Sequence, residues 1–137
     1  MRATFFPCDW AESINGKLYA QGVGWSRIGA DIPCNVGLAL LIHVEYNETN
    51  QKHKFAIRLE NGDGLPYPPD SPLGMGGDFE VGRPPGMQPG EETVVAVAAN
   101  VNQITIGDGA YTWRVLLDDE PVAYFPFIAM KLPGGGQ

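Results

Sequence analysis

The chain has 137 residues, the size of one domain, and 18 glycines with 12 prolines put its content of helix breakers well above average usage. That content excludes a helical bundle, while a 44% apolar fraction leaves too much to bury for a disordered chain. Sixteen acidic against nine basic residues give a net charge of -7, which repels nucleic-acid phosphates and anionic lipid.

Segments of strand length follow one another from the N-terminus, separated by turn signals. Residues 3–10 read as the first, with Pro7 suited to an edge position because it lacks an N–H. No long apolar run follows Arg2, so no secretory signal is expected, and no window approaches the roughly 18 apolar residues of a membrane span. Synthesis and folding in a cytoplasm are expected. There Cys8 and Cys34 read as core-packed thiols, although their number alone also allows one bridge. Asn15-Gly16 marks a turn, and 17–25 reads as a strand in which Gly22 and Gly24 admit another backbone closely.

The middle of the chain carries the clearest alternation. Val36, Leu38, Leu40, Ile42, Val44 and Tyr46 share one face of a strand, with His43 and Glu45 on the other. Residues 47–52 have room for one helical turn and nothing longer. In 54–60, Phe55, Ile57 and Leu59 point one way and Lys54, Arg58 and Glu60 the other. Two Pro/Gly-rich loops, 61–77 and 82–90, flank a short strand at 78–82.

Three more strands complete the pattern. Residues 93–101 bury Val95, Val97, Ala99 and Val101, leaving Val94, Ala96 and Ala98 on an outer face less polar than a solvated sheet requires. Residues 110–117 bury Tyr111, Trp113 and Val115. Asp108-Gly109-Ala110-Tyr111 is similar to a tyrosine corner, in which a Tyr at the start of a late strand bonds back to the preceding backbone. Trp113 holds the inward position that a cysteine fills in antibody domains, so no inter-sheet disulfide is expected. Asp118-Asp119-Glu120 reads as a charged hairpin tip. The last strand, 122–131, is apolar on both faces, with Phe125 and Phe127 on the side available to a partner and Pro126 again suited to an edge. About eight strands with almost no helix predict an all-β, immunoglobulin-like antiparallel β-sandwich of two sheets. Residues 1–132 form the domain and 133–137 a Gly-rich tail.

Chemistry is sparse. His43, His53, Cys8 and Cys34 lack the close spacing of a zinc site, and no acidic run alternates around glycine as a calcium loop does. No Gly-x-Ser-x-Gly elbow or adjacent nucleophile and base is present, and the Gly-rich stretches feed no helix that would receive a phosphate. No catalytic residue, metal or cofactor is expected. Trp25, Arg27 and Arg83 are the candidate loop contacts: the arginines either grip an anion or tie loops to backbone carbonyls. Trp10, Trp25 and Tyr19 offer platforms for carbohydrate, but aromatics in so small a sandwich are expected in its core.

Three stretches carry a resemblance: Asn15-Gly16-Lys17-Leu18-Tyr19 running on to Gly24-Trp25-Ser26-Arg27-Ile28, then Phe79-Glu80-Val81-Gly82-Arg83-Pro84-Pro85-Gly86, then Tyr111-Thr112-Trp113-Arg114-Val115. In this order the chain resembles, over roughly 3–130, a family of small uncharacterised proteins from actinobacteria and their phages. The resemblance implies a compact β-sandwich and carries no activity, cofactor or functional residue. Together these readings predict a non-catalytic structural or interaction protein. The expected role is a virion accessory component (capsid decoration or minor capsid protein), with a protein partner or self-association through Val94, Ala96, Ala98, Phe125 and Phe127, and no nucleic acid or membrane. The alternative is a cytoplasmic bacterial module that binds a protein or small ligand in a pocket near Trp25, Arg27 and the 65–77 loop.

Overall fold

The computed structural model describes residues 1–131, so the tail expected at 133–137 lies outside the described residues. Ten strands are joined by turns and one 3₁₀ turn, Tyr46–Glu48. In chain order they are β1 (Arg2–Cys8), β2 (Trp10–Ile14), β3 (Lys17–Gln21), β4 (Arg27–Gly29), β5 (Cys34–Glu45), β6 (Lys52–Asn61), β7 (Gly74–Glu80), β8 (Glu92–Ile104), β9 (Gly109–Leu117) and β10 (Glu120–Met130). One sheet runs β1-β5-β8, a second β4-β10-β9-β6-β7, and β2 pairs only with β3. The chain is all-β, and the sheets include a curled half-barrel.

The alternation read in the sequence builds the core. Val36, Leu38, Leu40, Ile42 and Val44 of β5 face Ile57 and Leu59 of β6 and Tyr111, Trp113, Val115 and Leu117 of β9 in one cluster. Each such side chain contributes about 1.5–3 kcal/mol when fully buried. The expected corner is present: Tyr111 Oη donates to the Gly107 carbonyl at 2.8 Å. Burial, followed by the neighbouring Tyr67 hydroxyl, pushes the Tyr111 phenol up to about 12. Tyr67 Oη accepts the Gly107 N–H at 3.2 Å, drawing the long 62–73 loop onto the same corner.

Three sheets replace the expected two. Instead of one strand over 3–10, the chain breaks at Asp9 and starts β2, and Asn15 and Gly16, with φ of 51° and 75°, turn it into β3. This hairpin folds over the outer face of the β1-β5-β8 sheet, where Cys8, Ala11 and Ala39 make a second small core with Leu18 and Ala98. Asn100 on β8 clamps it. Its Oδ1 accepts the Ala11 N–H at 3.0 Å and its Nδ2 donates to the Ala11 carbonyl at 2.9 Å. Opposite Asn100 in register stands Gly37, where an added Cβ would come within 2.8 Å of the Cys8 sulfur and 2.9 Å of the Trp10 carbonyl carbon. Only glycine lets the hairpin come so close.

Other details differ as well. The sheet is not wholly antiparallel, because the short β4 runs parallel to β10. Gly22 and Gly24 lie beyond β3, with φ of 72° and 104°, and turn the chain instead of sitting within a strand. Conversely, Gly74 and Gly76, expected in a loop, belong to β7; a Cβ on Gly76 would come within 2.9 Å of the Phe55 carbonyl oxygen. Pro126 lies two residues before Ile128, whose N–H bonds toward the β4 side at Ser26 O. Its missing donor therefore falls where β4 pairing has already ended.

Candidate functional site

The outer face of the β4-β10-β9-β6-β7 sheet combines shape, apolar surface and charge. Cross-strand register sets Pro126 beside Thr112 and Glu60, and Tyr124 beside Arg114 and Arg58. Tyr124 is 68% exposed, and Ile128 and Met130 are also exposed along the same side of β10. Beside this ridge lies a concavity of about 540 Å³ whose walls include Arg27, Glu60, Thr112, Arg114, Pro126 and Ile128. Arg114 Nε bonds Glu60 Oε1 at 2.9 Å, so that pair is internally neutral. Arg27 makes no ion pair among the described residues; its Nη1 reaches only the Met130 sulfur at 3.4 Å. The face therefore offers apolar strand side chains with two guanidiniums, Arg27 at the edge and the exposed Arg58, that make no ion pair among the described residues.

The exposed side of β10 is the opposite of the one the sequence suggested. Phe127 is only 3% exposed and stacks on Tyr111 and Trp113, with Trp25 edge-on at 5.8 Å between centroids. Phe125 also packs against the core, half-buried. Phe127 is therefore a core residue, and Phe125 is only partly open to a partner. The cause is a bulge: Pro121 pairs with Leu116 but Ala123 pairs with Val115, so one extra residue enters β10. A one-residue slip exchanges the two faces of a strand. Phe125 thereby meets the inward Trp113, and Tyr124, Pro126, Ile128 and Met130 turn outward.

The β8 residues divide. Val94 is 46% exposed, whereas Ala98 packs under the β2–β3 hairpin and Ala96 is half-buried, its carbonyl accepting the Ser13 hydroxyl at 3.3 Å. The hairpin itself carries Trp10 and Tyr19 outward, both substantially exposed, where a core position had been expected. Trp10 Nε1 donates to Glu12 Oε1 at 2.9 Å along the strand.

Trp25 and Arg27 line a second concavity of about 620 Å³ together with Asp9, Cys34 and Val36. Arg83 does not join them. Its guanidinium sits 3.6 Å over the Tyr46 ring and donates to the Tyr46 carbonyl and Thr49 Oγ1, both at 3.0 Å. It ties the β7–β8 connection to the 3₁₀ turn instead of gripping an anion. The 65–77 loop closes on the Tyr111 corner and lies away from that concavity.

His53, which reads in sequence as one of two isolated histidines, makes the tightest polar cluster. Nδ1 lies 2.8 Å from Asp118 Oδ2 and Nε2 lies 2.7 Å from the Glu48 carbonyl. A carbonyl accepts only, so Nε2 donates, and an ionised Asp118 accepts the Nδ1–H: the arrangement favours the imidazolium. Burial works against that charge, but the Glu48 carbonyl and the Asp118 carboxylate together hold the His53 pKa above its ordinary value. Asp118 is shifted down despite some burial, by the Lys54 backbone N–H and by His53. With both ring nitrogens committed, this is a clasp between the 3₁₀ turn and the β9–β10 hairpin rather than a general base. Both cysteines are free, and burial raises both thiols, the wrong direction for a nucleophile. Among the described residues no three His, Cys, Asp or Glu side chains converge as metal ligands.

The model of a family of unknown function, DUF6941, matches residues 3–130, and the chain belongs to that family. No curated protein matches it.

Proposed function

We propose that this member of DUF6941 is a non-catalytic structural and interaction protein, a capsid decoration or minor capsid component of an actinobacterial phage. Its protein partner docks on the outer face of the β4-β10-β9-β6-β7 sheet. The observation that carries the reading is the exposed ridge of Tyr124, Ile128 and Met130 on a regular strand beside a concave wall. Aromatic and apolar side chains on a rigid sheet lose little entropy on contact, and Tyr, Met and Arg are the residues enriched at interface cores.

The finer fold belongs to the same proposal. The orders β1-β5-β8 and β10-β9-β6-β7, with a tyrosine corner on β9, support reading it as an immunoglobulin-like arrangement with β9 as the corner-bearing late strand. The β2–β3 hairpin and β4 are additions to it. Such sandwiches serve as adhesive and decorating modules because their sheet faces and loops vary without disturbing the core.

Particles of the source phage purified on a density gradient test the proposal by quantitative peptide mass spectrometry. The chain is expected at a fixed ratio to the capsid subunit. Its presence only in the soluble fraction would overturn the virion role.

A second reading has a specific observation behind it. The unpaired Arg27 lies between the two concavities, beside Trp25, as a small anionic ligand requires. On that reading, a thermal-shift screen of small carboxylates and phosphates raises the melting temperature of the wild type and not of Arg27→Ala. No shift with any compound would remove it.

A further inference from the structure

We propose that two copies of the chain pair edge to edge through β8, extending the three-stranded sheet across a two-fold axis. The strand β8 runs 13 residues, Glu92–Ile104, and pairs as a strand with β5 alone; on its other edge, among the described residues, the Ser13 hydroxyl of β2 reaches the Ala96 carbonyl at 3.3 Å, and a carbonyl has a second lone pair to offer. It contains no proline or lysine, by which edge strands are often blunted, and its one bulge lies at its end, between Val101 and Ile104, outside the stretch Thr93–Val101. The other edges are protected. β4 is three residues long, β7 holds three glycines with Asp78 and Glu80, and β1 carries Pro7 and lies against β10.

Burial points the same way. On β5, Val36, Leu38, Leu40, Ile42 and Val44 are at most 1% exposed. On the adjacent β8, Val95, Val97, Ala99 and Val101 pack on the same core yet stay half-buried. The sheet ends one strand too early to cover them. The seam closes where β1 meets β10, whereas β7 and β8 are not in comparable contact.

The occupant is argued from charge and self-complementarity. From Thr93 to Val101 the strand carries no charged residue, and Glu92 at its end is neutralised within its own chain by Arg2 at 3.0 Å. The Arg2 contact also holds Glu92 below the usual carboxylate range. An antiparallel copy centred near Ala96 sets Glu92 against Asn100 and keeps the two carboxylates at opposite ends. Val95 of each copy then lies beside Val97 of the other. One isologous contact would extend both sheets and cover both half-buried valine rows, the Ala96 carbonyl accepting from the copy beside its Ser13 bond. Any other partner would have to bring an uncharged strand of similar length.

Successive N–H groups of a strand point to opposite edges, which supplies the test. Of Val94→Pro and Val95→Pro, one removes a donor facing β5 and destabilises the fold. The other removes a donor on the free edge and leaves the fold intact. Light scattering after gel filtration should give twice the chain mass for the wild type and the monomer mass for whichever proline variant keeps the wild-type melting temperature. A wild type that stays monomeric at high concentration would overturn the inference. So would a dimer that survives in the stably folded variant. A Tyr124→Lys/Ile128→Lys variant, altered on the other sheet, should remain dimeric, which separates this contact from the proposed partner face.

Discussion

At the scale of single residues, His53 is the side chain whose chemistry most constrains the molecule. Its folded pKa lies above the ordinary histidine value of about 6.5, so the folded state holds the proton more tightly than the unfolded chain. The stabilisation is complete below that ordinary value and is lost as pH rises through the raised folded value. Asp118 works in the opposite sense. Its folded pKa is depressed, so its contribution is complete above the ordinary carboxylate value and lost as pH falls through the lowered one. The pair therefore stabilises most between these limits. Melting temperatures measured across pH should show a decline for the wild type as pH rises above the ordinary histidine value of about 6.5. In His53→Gln that limb should flatten and the plateau should drop. An unchanged alkaline limb would refute the imidazolium assignment. The cluster was not legible in the sequence, because Glu48, His53 and Asp118 meet only when the 3₁₀ turn and the β9–β10 hairpin reach the same end of the fold. What was legible was the hairpin tip itself: Asp118 and Asp119 adopt φ of 50° and 68°, the left-handed pair that a two-residue turn demands.

Among the elements, the β2–β3 hairpin shows how a local device attaches a whole segment. Its two clamp bonds from Asn100 and the bare surface at Gly37 are its specific anchors on the sheet. Asn100→Ala leaves the Ala11 N–H and carbonyl without partners and should cost about 1–2 kcal/mol. Hydrogen exchange should accelerate at 10–21 and stay slow in β9. Equal acceleration in both would mean that the hairpin is integral to the core. Period-2 alternation revealed β5, β6 and β9, since each buries one face and exposes the other. It failed at β10 because a bulge inside a strand leaves no mark on a pattern that is apolar on both faces. Phe125 and Phe127 thus exchanged places with Tyr124 and Ile128. It also missed β2, where Trp10 and Ile14 stand exposed against the usual trend and only Ala11 is buried.

For the whole molecule, two surfaces are proposed as contacts: the outer face of the five-stranded sheet, with exposed Tyr124, Ile128 and Met130, for a partner, and the β8 edge for a second copy. On that proposal, the net charge of -7 opposes contact between copies except where the surface is uncharged, as along Thr93–Val101. The glycines and prolines that first excluded a helical protein are also part of this arrangement. They turn the hairpins, allow β2 to approach β5, and blunt β1, leaving β8 the exception. The proposed role places the molecule's action on the Tyr124 face. It is tested most directly by adding purified wild type and the Tyr124→Lys/Ile128→Lys variant to particles lacking the chain, then measuring the amount that sediments with them. The wild type should sediment with the particles at saturating stoichiometry, and the variant, folded and dimeric, should lose at least tenfold in affinity, about 1.4 kcal/mol. Equal binding of the two proteins would contradict it.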